Sequence, residues 1–232
     1  MDKFYGIEKL SLVDYEGKLA CTLFTGGCNF RCPFCHNSSL VKNAFDIKPI
    51  DDNEYLSYLE KRKNTIDAVV ITGGEPTLMP SLLEKIKTFK NMGYLVKLDT
   101  NGTNPEIVKK LIKEKLIDYV AMDIKNSIEL YPLTTGVNNQ EYINNVLETI
   151  NILKQNQVEY EFRTTLIDEF HSKESIEKIG ELLKGANKIY LQKFIDRGTC
   201  IQSNLHEVQI KNALEYKCIL EKYIPNVNLR GY

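Results

Sequence analysis

Short apolar runs at 20–25, 68–72, 95–99, 119–124, 160–166 and 188–195 alternate with longer stretches of three-and-four apolar spacing, and this rhythm constrains the fold more than any other feature of the sequence. The runs are rich in β-branched and aromatic residues and are bounded by Gly, Asn and Asp, as strands are. Those in the middle are apolar almost without interruption, as in Val69-Val70-Ile71 and Tyr119-Val120-Ala121-Met122, which suits a parallel sheet buried on both faces. The intervening stretches put Tyr55, Leu56 and Leu59, then Leu82, Leu83, Ile86 and Phe89, then Ile107, Val108, Leu111 and Ile112 on helical faces that can cover the sheet. Asn104-Pro105 places a cap residue before a proline suited to the first helical turn, and Gly93 stands where a left-handed C-terminal residue is wanted. Further helices are expected over 138–154 and 205–223, the second closing one end.

Six such units joined by right-handed crossovers predict an α/β fold, either an open doubly wound sheet or most of a β/α barrel. In both, chemistry belongs at the C-terminal edge of the strands. Polar and glycine-rich segments fall there: Gly26-Gly27-Cys28, Gly73-Gly74-Glu75, Asp99-Thr100-Asn101-Gly102, Asp123-Ile124-Lys125 and Arg163-Thr164-Thr165.

With 232 residues, 43% of them hydrophobic, and 30 Lys+Arg against 31 Asp+Glu, the chain can bury a sizeable core and reads as one domain. A pI near 6.3 with interspersed charge argues against a nucleic-acid binder. The first residues lack the apolar core of a secretory signal, and no apolar run is long enough to cross a bilayer as a helix. A cytoplasmic protein without membrane contact is expected.

The loop after the first run carries Cys28-Asn29-Phe30-Arg31-Cys32-Pro33-Phe34-Cys35, a C-x-x-x-C-x-x-C spacing. In a reducing compartment such clustering points to metal or redox chemistry rather than disulfides. Three thiolates can hold three irons of a cubane cluster, whereas a simple ferredoxin site uses four, and the open fourth position is what a catalytic metal needs. The alternative is a zinc site completed by His36 or by one of Cys21, Cys200 and Cys218. Against it, no second C-x-x-C pair exists, and adjacent Cys35 and His36 strain joint chelation. Cys21, Cys200 and Cys218 read as a buried strand residue, a loop residue and a helix residue.

The motif C-x-x-x-C-x-aromatic-C, with Phe34 at the aromatic position, resembles the signature of radical S-adenosylmethionine (SAM) enzymes, and Gly73-Gly74-Glu75-Pro76 is similar to that superfamily's GGE motif. The string from Leu10 to Asn37, the segment Leu98-Asp99-Thr100-Asn101-Gly102 and the closing Leu229-Arg230-Gly231-Tyr232 resemble the activating proteins of anaerobic ribonucleoside-triphosphate reductase. The resemblance implies a partial (β/α)6 TIM-type barrel over residues 1–232, with a core at about 18–200 and a C-terminal helix and tail over 201–232. It implies a [4Fe-4S] cluster on Cys28, Cys32 and Cys35, and SAM as a second cofactor. Gly73, Gly74 and Glu75 would bind the methionyl amino end, and Phe34 would line the adenine pocket. Asp99, Thr100, Asp123 and Lys125 fall where glycyl-radical activases contact SAM or a monovalent cation near its carboxylate, and Arg163 and Gln192 are candidates for the carboxylate and adenine ends. Taken singly, a strand-end Asp or Lys is as readily a helix cap or an ion pair.

Other features have bland readings. Lys61-Arg62-Lys63 and Lys113-Glu114-Lys115 are solvated helix ends, and His171 and His206, without metal-spaced partners, take surface or local hydrogen-bonding roles. Glu16 and Gly26 depart from the family strings, where proline and glutamine are usual, and neither is a ligand. No further cysteine cluster accompanies the first. By resemblance, then, the chain is an activase that cleaves SAM reductively, with an electron from a flavodoxin or ferredoxin, and generates a glycyl radical on a partner, anaerobic ribonucleotide reductase. Rivals are a small-molecule radical enzyme like 7-carboxy-7-deazaguanine synthase, whose group often has a longer insertion between the first two cysteines, a zinc-binding interaction module, and a one-cluster electron carrier. Neither of the last two needs Gly73-Gly74-Glu75 in addition to six βα units.

Overall fold

The computed structural model describes residues 2–232. Its framework is one sheet of eight strands in chain order, open at both edges. Strand β1 (Phe4–Ser11) runs antiparallel to β2 (Ala20–Thr25), and everything after it is parallel: β3 (Ala68–Gly73), β4 (Leu95–Thr100), β5 (Tyr119–Asp123), β6 (Glu159–Leu166), β7 (Lys188–Lys193) and β8 (Asn226–Arg230). The six expected strands are thus all present, parallel and consecutive, the arrangement of a partial β/α barrel. Two more extend it. The expected C-terminal tail contains β8, which pairs with β7.

The helices in chain order are α1 (Ser38–Lys42), α2 (Asp52–Arg62), α3 (Leu82–Asn91), α4 (Pro105–Lys113), α5 (Tyr131–Thr135), α6 (Gln140–Leu153), α7 (Lys173–Leu182) and α8 (Ile210–Leu220). The helix expected over 205–223 begins only at Ile210, and the residues before it are irregular apart from a bridge between Ile167 and Glu207. Pro105 opens α4 as expected, but the Asn104 side chain does not cap it: its Nδ2 donates to the Thr77 carbonyl at 3.1 Å.

Strand alternation divides the sheet into two faces. One set, including Leu23, Ile71, Leu98, Met122, Phe162 and Leu191, packs in the main core with Ile86 and Phe89 of α3, Val108 of α4 and Ile176 of α7. The other set is smaller at the N-terminal end of the strands, where Ala20, Ala68, Val70, Tyr119 and Ala121 meet Tyr15 from the β1–β2 connection. Toward the C-terminal end this second face turns polar and opens into a cavity. Among the described residues no helix is long and apolar enough to cross a membrane.

Candidate active site

The cavity, about 380 Å³, is walled by alternate residues of the strands: Thr22 and Phe24, Thr72, Asp99, Asp123, Arg163 and Thr165, and Gln192. Because the side-chain period of a strand is two, this one face carries Asp99, Asp123, Arg163 and Gln192 at its upper end, whereas Gly73 and Thr100, one position along from Thr72 and Asp99, reach the cavity from the strand ends. Cys28, Cys32, Phe34 and Cys35 form the facing wall, and Gly73, Gly74, Glu75, Thr100 and Lys125 complete the lining. All thirteen side chains or glycines singled out in the sequence therefore border one space.

The cysteine loop is held along its length. Gly27 N–H donates to the Leu40 carbonyl at 2.8 Å, Arg31 N–H to the Thr135 carbonyl at 2.7 Å, and Gln202 N–H to the Pro33 carbonyl at 2.9 Å. Cys35 N–H closes a turn onto the Cys32 carbonyl at 3.1 Å. The Cys28 sulfur accepts from Phe30 N–H at 3.4 Å and from Asn101 Nδ2 at 3.8 Å. Burial pushes the Cys28 thiol up to about 12, with Glu75 adding to it, and the Cys32 thiol up to about 11, where Lys125 acts in the opposite direction. Such thiols stay protonated unless a metal displaces the proton.

The loop after β3 approaches the cysteine loop so closely that only glycine fits. A Cβ on Gly74 would stand 1.8 Å from the Gly27 carbonyl oxygen, and Gly73 adopts φ +114° with the space for its Cβ taken by the Thr25 backbone. Beside them Glu75, 1% exposed, accepts four hydrogen bonds, from Thr77 N–H (3.1 Å), Thr77 Oγ1 (2.6 Å), Thr100 Oγ1 (2.7 Å) and Asn101 N–H (2.7 Å). Burial still raises its pKa. The carboxylate ties the β3 and β4 turns together.

Across from the cysteines the charges alternate. Arg163 donates from Nε to Asp123 Oδ1 (2.9 Å) and from Nη1 to Asp99 Oδ2 (3.1 Å), and Lys125 Nζ donates to Asp123 Oδ2 (2.9 Å). Burial opposes the Asp123 charge, but Arg163 and Lys125 outweigh it and hold the carboxyl at about 2. Burial likewise opposes the Lys125 charge, yet Asp123 and the nearby Cys32 keep it protonated above the ordinary lysine range. The bland reading of these strand-end charges as ion pairs is therefore correct in part: they are paired, but inside the cavity. Among the described residues the buried Asp99 Oδ1 has no hydrogen-bond partner, and Lys97 Nζ lies 3.6 Å from it.

Several lining groups were not singled out. Asn37 Nδ2 donates to the Gly73 carbonyl at 2.8 Å, fixing the glycine turn, and Asn101 bridges to Asn29 Oδ1 at 2.8 Å. Asp14 accepts from Thr22 Oγ1 at 2.6 Å at the cavity floor. Asn101 and Asn37 stood in the strings read as strand-end and family segments, so a signal existed without a role. His171 is buried and, beyond its local bond to Ile167, reaches the Lys125 carbonyl far along the chain, whereas His206 is exposed and bonded to Glu169.

The donor set fits a cluster. Three thiols border one cavity, two N–H groups point at one sulfur, and a buried ammonium lies within electrostatic reach of the other two. Among the described residues no three His, Cys, Asp or Glu side chains converge tightly enough to hold a single metal ion. His36, weighed as a zinc ligand, has its Nε2 2.8 Å from the Ile195 carbonyl and its ring stacked on Phe194 at 5.3 Å. Cys21 is fully buried in β2 and Cys218 is exposed on α8.

The model of the radical SAM superfamily matches residues 22–184. A Methanocaldococcus jannaschii protein provisionally named a glycyl-radical enzyme activating enzyme is 35% identical over 97% of this chain and 94% of its own length. The pyruvate formate-lyase-activating enzyme of Clostridium pasteurianum is 28% identical over 82% of this chain and 79% of its own. Among solved structures, a radical SAM methyltransferase from Sphaerobacter thermophilus superposes with a TM-score of 0.69 at 17% identity, covering 95% of this chain and 68% of that one. At that identity the likeness is one of fold.

Proposed function

The chain belongs to the radical SAM superfamily and, within it, to the glycyl-radical enzyme activating enzymes, and from that premise we propose that it installs a glycyl radical on anaerobic ribonucleoside-triphosphate reductase. When bound, a [4Fe-4S] cluster and SAM would supply the chemistry, reductive cleavage of the sulfonium with an electron from a flavodoxin or ferredoxin, giving the oxidising power to take a hydrogen from a glycine Cα of the partner. The observation that carries this reading is the single cavity shared by the Cys28–Cys32–Cys35 loop and the charged strand ends.

In it Cys28, Cys32 and Cys35 would hold the cluster, the Lys125 ammonium favouring the thiolate form of Cys32 and Cys35 against their burial. Gly73 and Gly74 bring main chain against the methionyl amino end, and Glu75 braces the turn that presents them. Lys125 and Arg163, fixed by Asp123, offer positive charge to a carboxylate. Phe34, buried and 6.0 Å from the Phe170 ring, and Gln192 serve the adenine side. The unpartnered Asp99 oxygen beside Thr100 supports a ribose or monovalent-cation contact there. The open sheet leaves the cavity mouth accessible to a loop of a large partner. A main core that includes both Phe4 and Val227 supports treating 1–232 as one domain, and we place the protein in the cytoplasm.

The test is anaerobic reconstitution with iron and sulfide, then reduction with SAM. Brown absorbance and released 5′-deoxyadenosine are expected, and a glycyl doublet in the electron paramagnetic resonance spectrum once the reductase is added. Stoichiometric zinc without cleavage would overturn the superfamily chemistry. Turnover of a free nucleobase precursor would overturn the activase role.

A further inference from the structure

Lys125 is the second residue beyond β5, outside the ladder that fixes Asp123, yet its ammonium must be aimed accurately to serve the cavity. Its peptide groups are gripped from two sides. Lys125 N–H donates to Tyr131 Oη at 3.3 Å, and the Lys125 carbonyl lies 3.2 Å from Nε2 of His171, on the loop between β6 and α7. A carbonyl only accepts, so Nε2 carries the hydrogen. His171 is 3% exposed, and burial pushes its pKa down to about 4, so the ring is neutral near pH 7. Nδ1 lies 3.1 Å from Ile167 N–H and 3.2 Å from the Ile167 carbonyl, but that carbonyl already accepts from Phe170 N–H and His171 N–H, so Nδ1 is left bare and accepts from Ile167 N–H. The surroundings thus select one tautomer.

The imidazole is itself anchored. The His171 carbonyl accepts from Tyr216 Oη of α8 at 2.9 Å, and the preceding Phe170 carbonyl accepts from Asn126 Nδ2 at 2.8 Å. We propose that His171 is a positioning residue: by holding the Lys125 carbonyl it fixes the rotation of that peptide and keeps the Lys125 ammonium between Asp123 and the cysteine loop. The role in SAM binding rests on the function proposed above; the clamp itself does not.

Glutamine can place its amide nitrogen where imidazole Nε2 lies, whereas asparagine reaches only as far as Nδ1, so His171→Gln keeps the donor to Lys125 and His171→Asn loses it at similar polarity. In the full chain without iron, labelling of Lys125 by an amine-reactive acetylating reagent, read by mass spectrometry against exposed Lys211, should quicken about fivefold in His171→Asn and stay within about twofold of the parent in His171→Gln, the effect of one hydrogen bond. In the reconstituted protein KM for SAM should rise by a similar factor in His171→Asn, with kcat little changed. Equal Lys125 labelling in both variants and the parent, even with a lowered melting temperature in His171→Asn, would reduce His171 to a packing role and overturn the proposal. Separated labelling with no SAM cleavage in any form, the parent included, would uphold the clamp and sink only the assigned function.

Discussion

Two buried groups give the protein an acid response with separable stages. Unfolded, His171 takes a proton near 6.5 and Asp123 near 3.8, whereas in the fold burial holds the first at about 4 and the Arg163 and Lys125 charges hold the second at about 2. Both folded values are depressed, so the unfolded chain binds more protons in each window and stability falls as pH falls through it. The His171 contribution is intact above about 6.5 and lost by about 4, roughly 3 kcal/mol for a shift of that size; the Asp123 contribution is lost between about 3.8 and 2. Denaturant midpoints measured from pH 7 to pH 2 should therefore drop in two stages. His171→Gln should erase the upper one, and Asp123→Asn the lower, at the cost of a less stable protein at pH 7. A parent curve flat between pH 6.5 and 4 would contradict the burial of a neutral imidazole. The sequence disclosed Asp123 because it ends an apolar run, but not the grip on Lys125. His171 stands 46 positions away, and nothing in a lone histidine announces that its ring will meet a main-chain carbonyl.

The β2 and β3 ends meet through backbone rather than side chains, which makes that junction sensitive to a single methyl group. Gly74 N–H donates to the Thr25 carbonyl at 2.9 Å and Glu75 N–H to the Gly27 carbonyl at 2.8 Å, so the turn lies flat on the start of the cysteine loop. In Gly74→Ala the new Cβ would collide with the Gly27 carbonyl, and one loop must retreat. An overpacking cost of about 1–3 kcal/mol is expected, with iron incorporation falling more steeply than the melting temperature because Cys28 is the next residue along. Parent-like iron content in the folded variant would show that the contact does not place Cys28. This junction was legible as a glycine pair after a strand. Strands β1 and β8 were not, since an apolar-run criterion finds strands covered on both faces. Only two of eight residues in β1 and one of five in β8 are buried. Helix α7 also escaped, half of its ten residues being Lys or Glu and Gly180 interrupting the apolar spacing where Tyr223 packs against it.

An open sheet must satisfy its polar inner face without a closing strand, and the last strand does this here. Glu161, two residues below Arg163 on β6, is 2% exposed and accepts from Tyr119 Oη at 2.9 Å and from Arg230 Nη1 at 3.2 Å. The Arg230 guanidinium lies 3.7 Å over the Tyr190 ring, whose hydroxyl donates to Glu16 at 2.8 Å. Residues from β5, β6, β7, β8 and the β1–β2 connection thus share one network beneath the cavity. The Leu229-Arg230-Gly231-Tyr232 ending was recognisable as a family string, but its physical task depends on a register with β7 that no local pattern encodes. In Arg230→Met the Glu161 carboxylate keeps only one donor. Because the guanidinium is a third exposed, the loss should be about 2 kcal/mol rather than the full cost of stranding a buried charge, a fall of about 4–8 °C in melting temperature for a chain of this size. Adding Glu161→Gln should recover much of it, since a neutral amide needs no cation. SAM cleavage per folded molecule should stay near the parent's in both, because Arg163 and its carboxylate partners bond one another without Arg230. If Arg230→Met melts with the parent, the network does not brace the open sheet, and if it melts early but also loses SAM cleavage below its midpoint, the lower network and the cavity are coupled through Arg163 rather than independent.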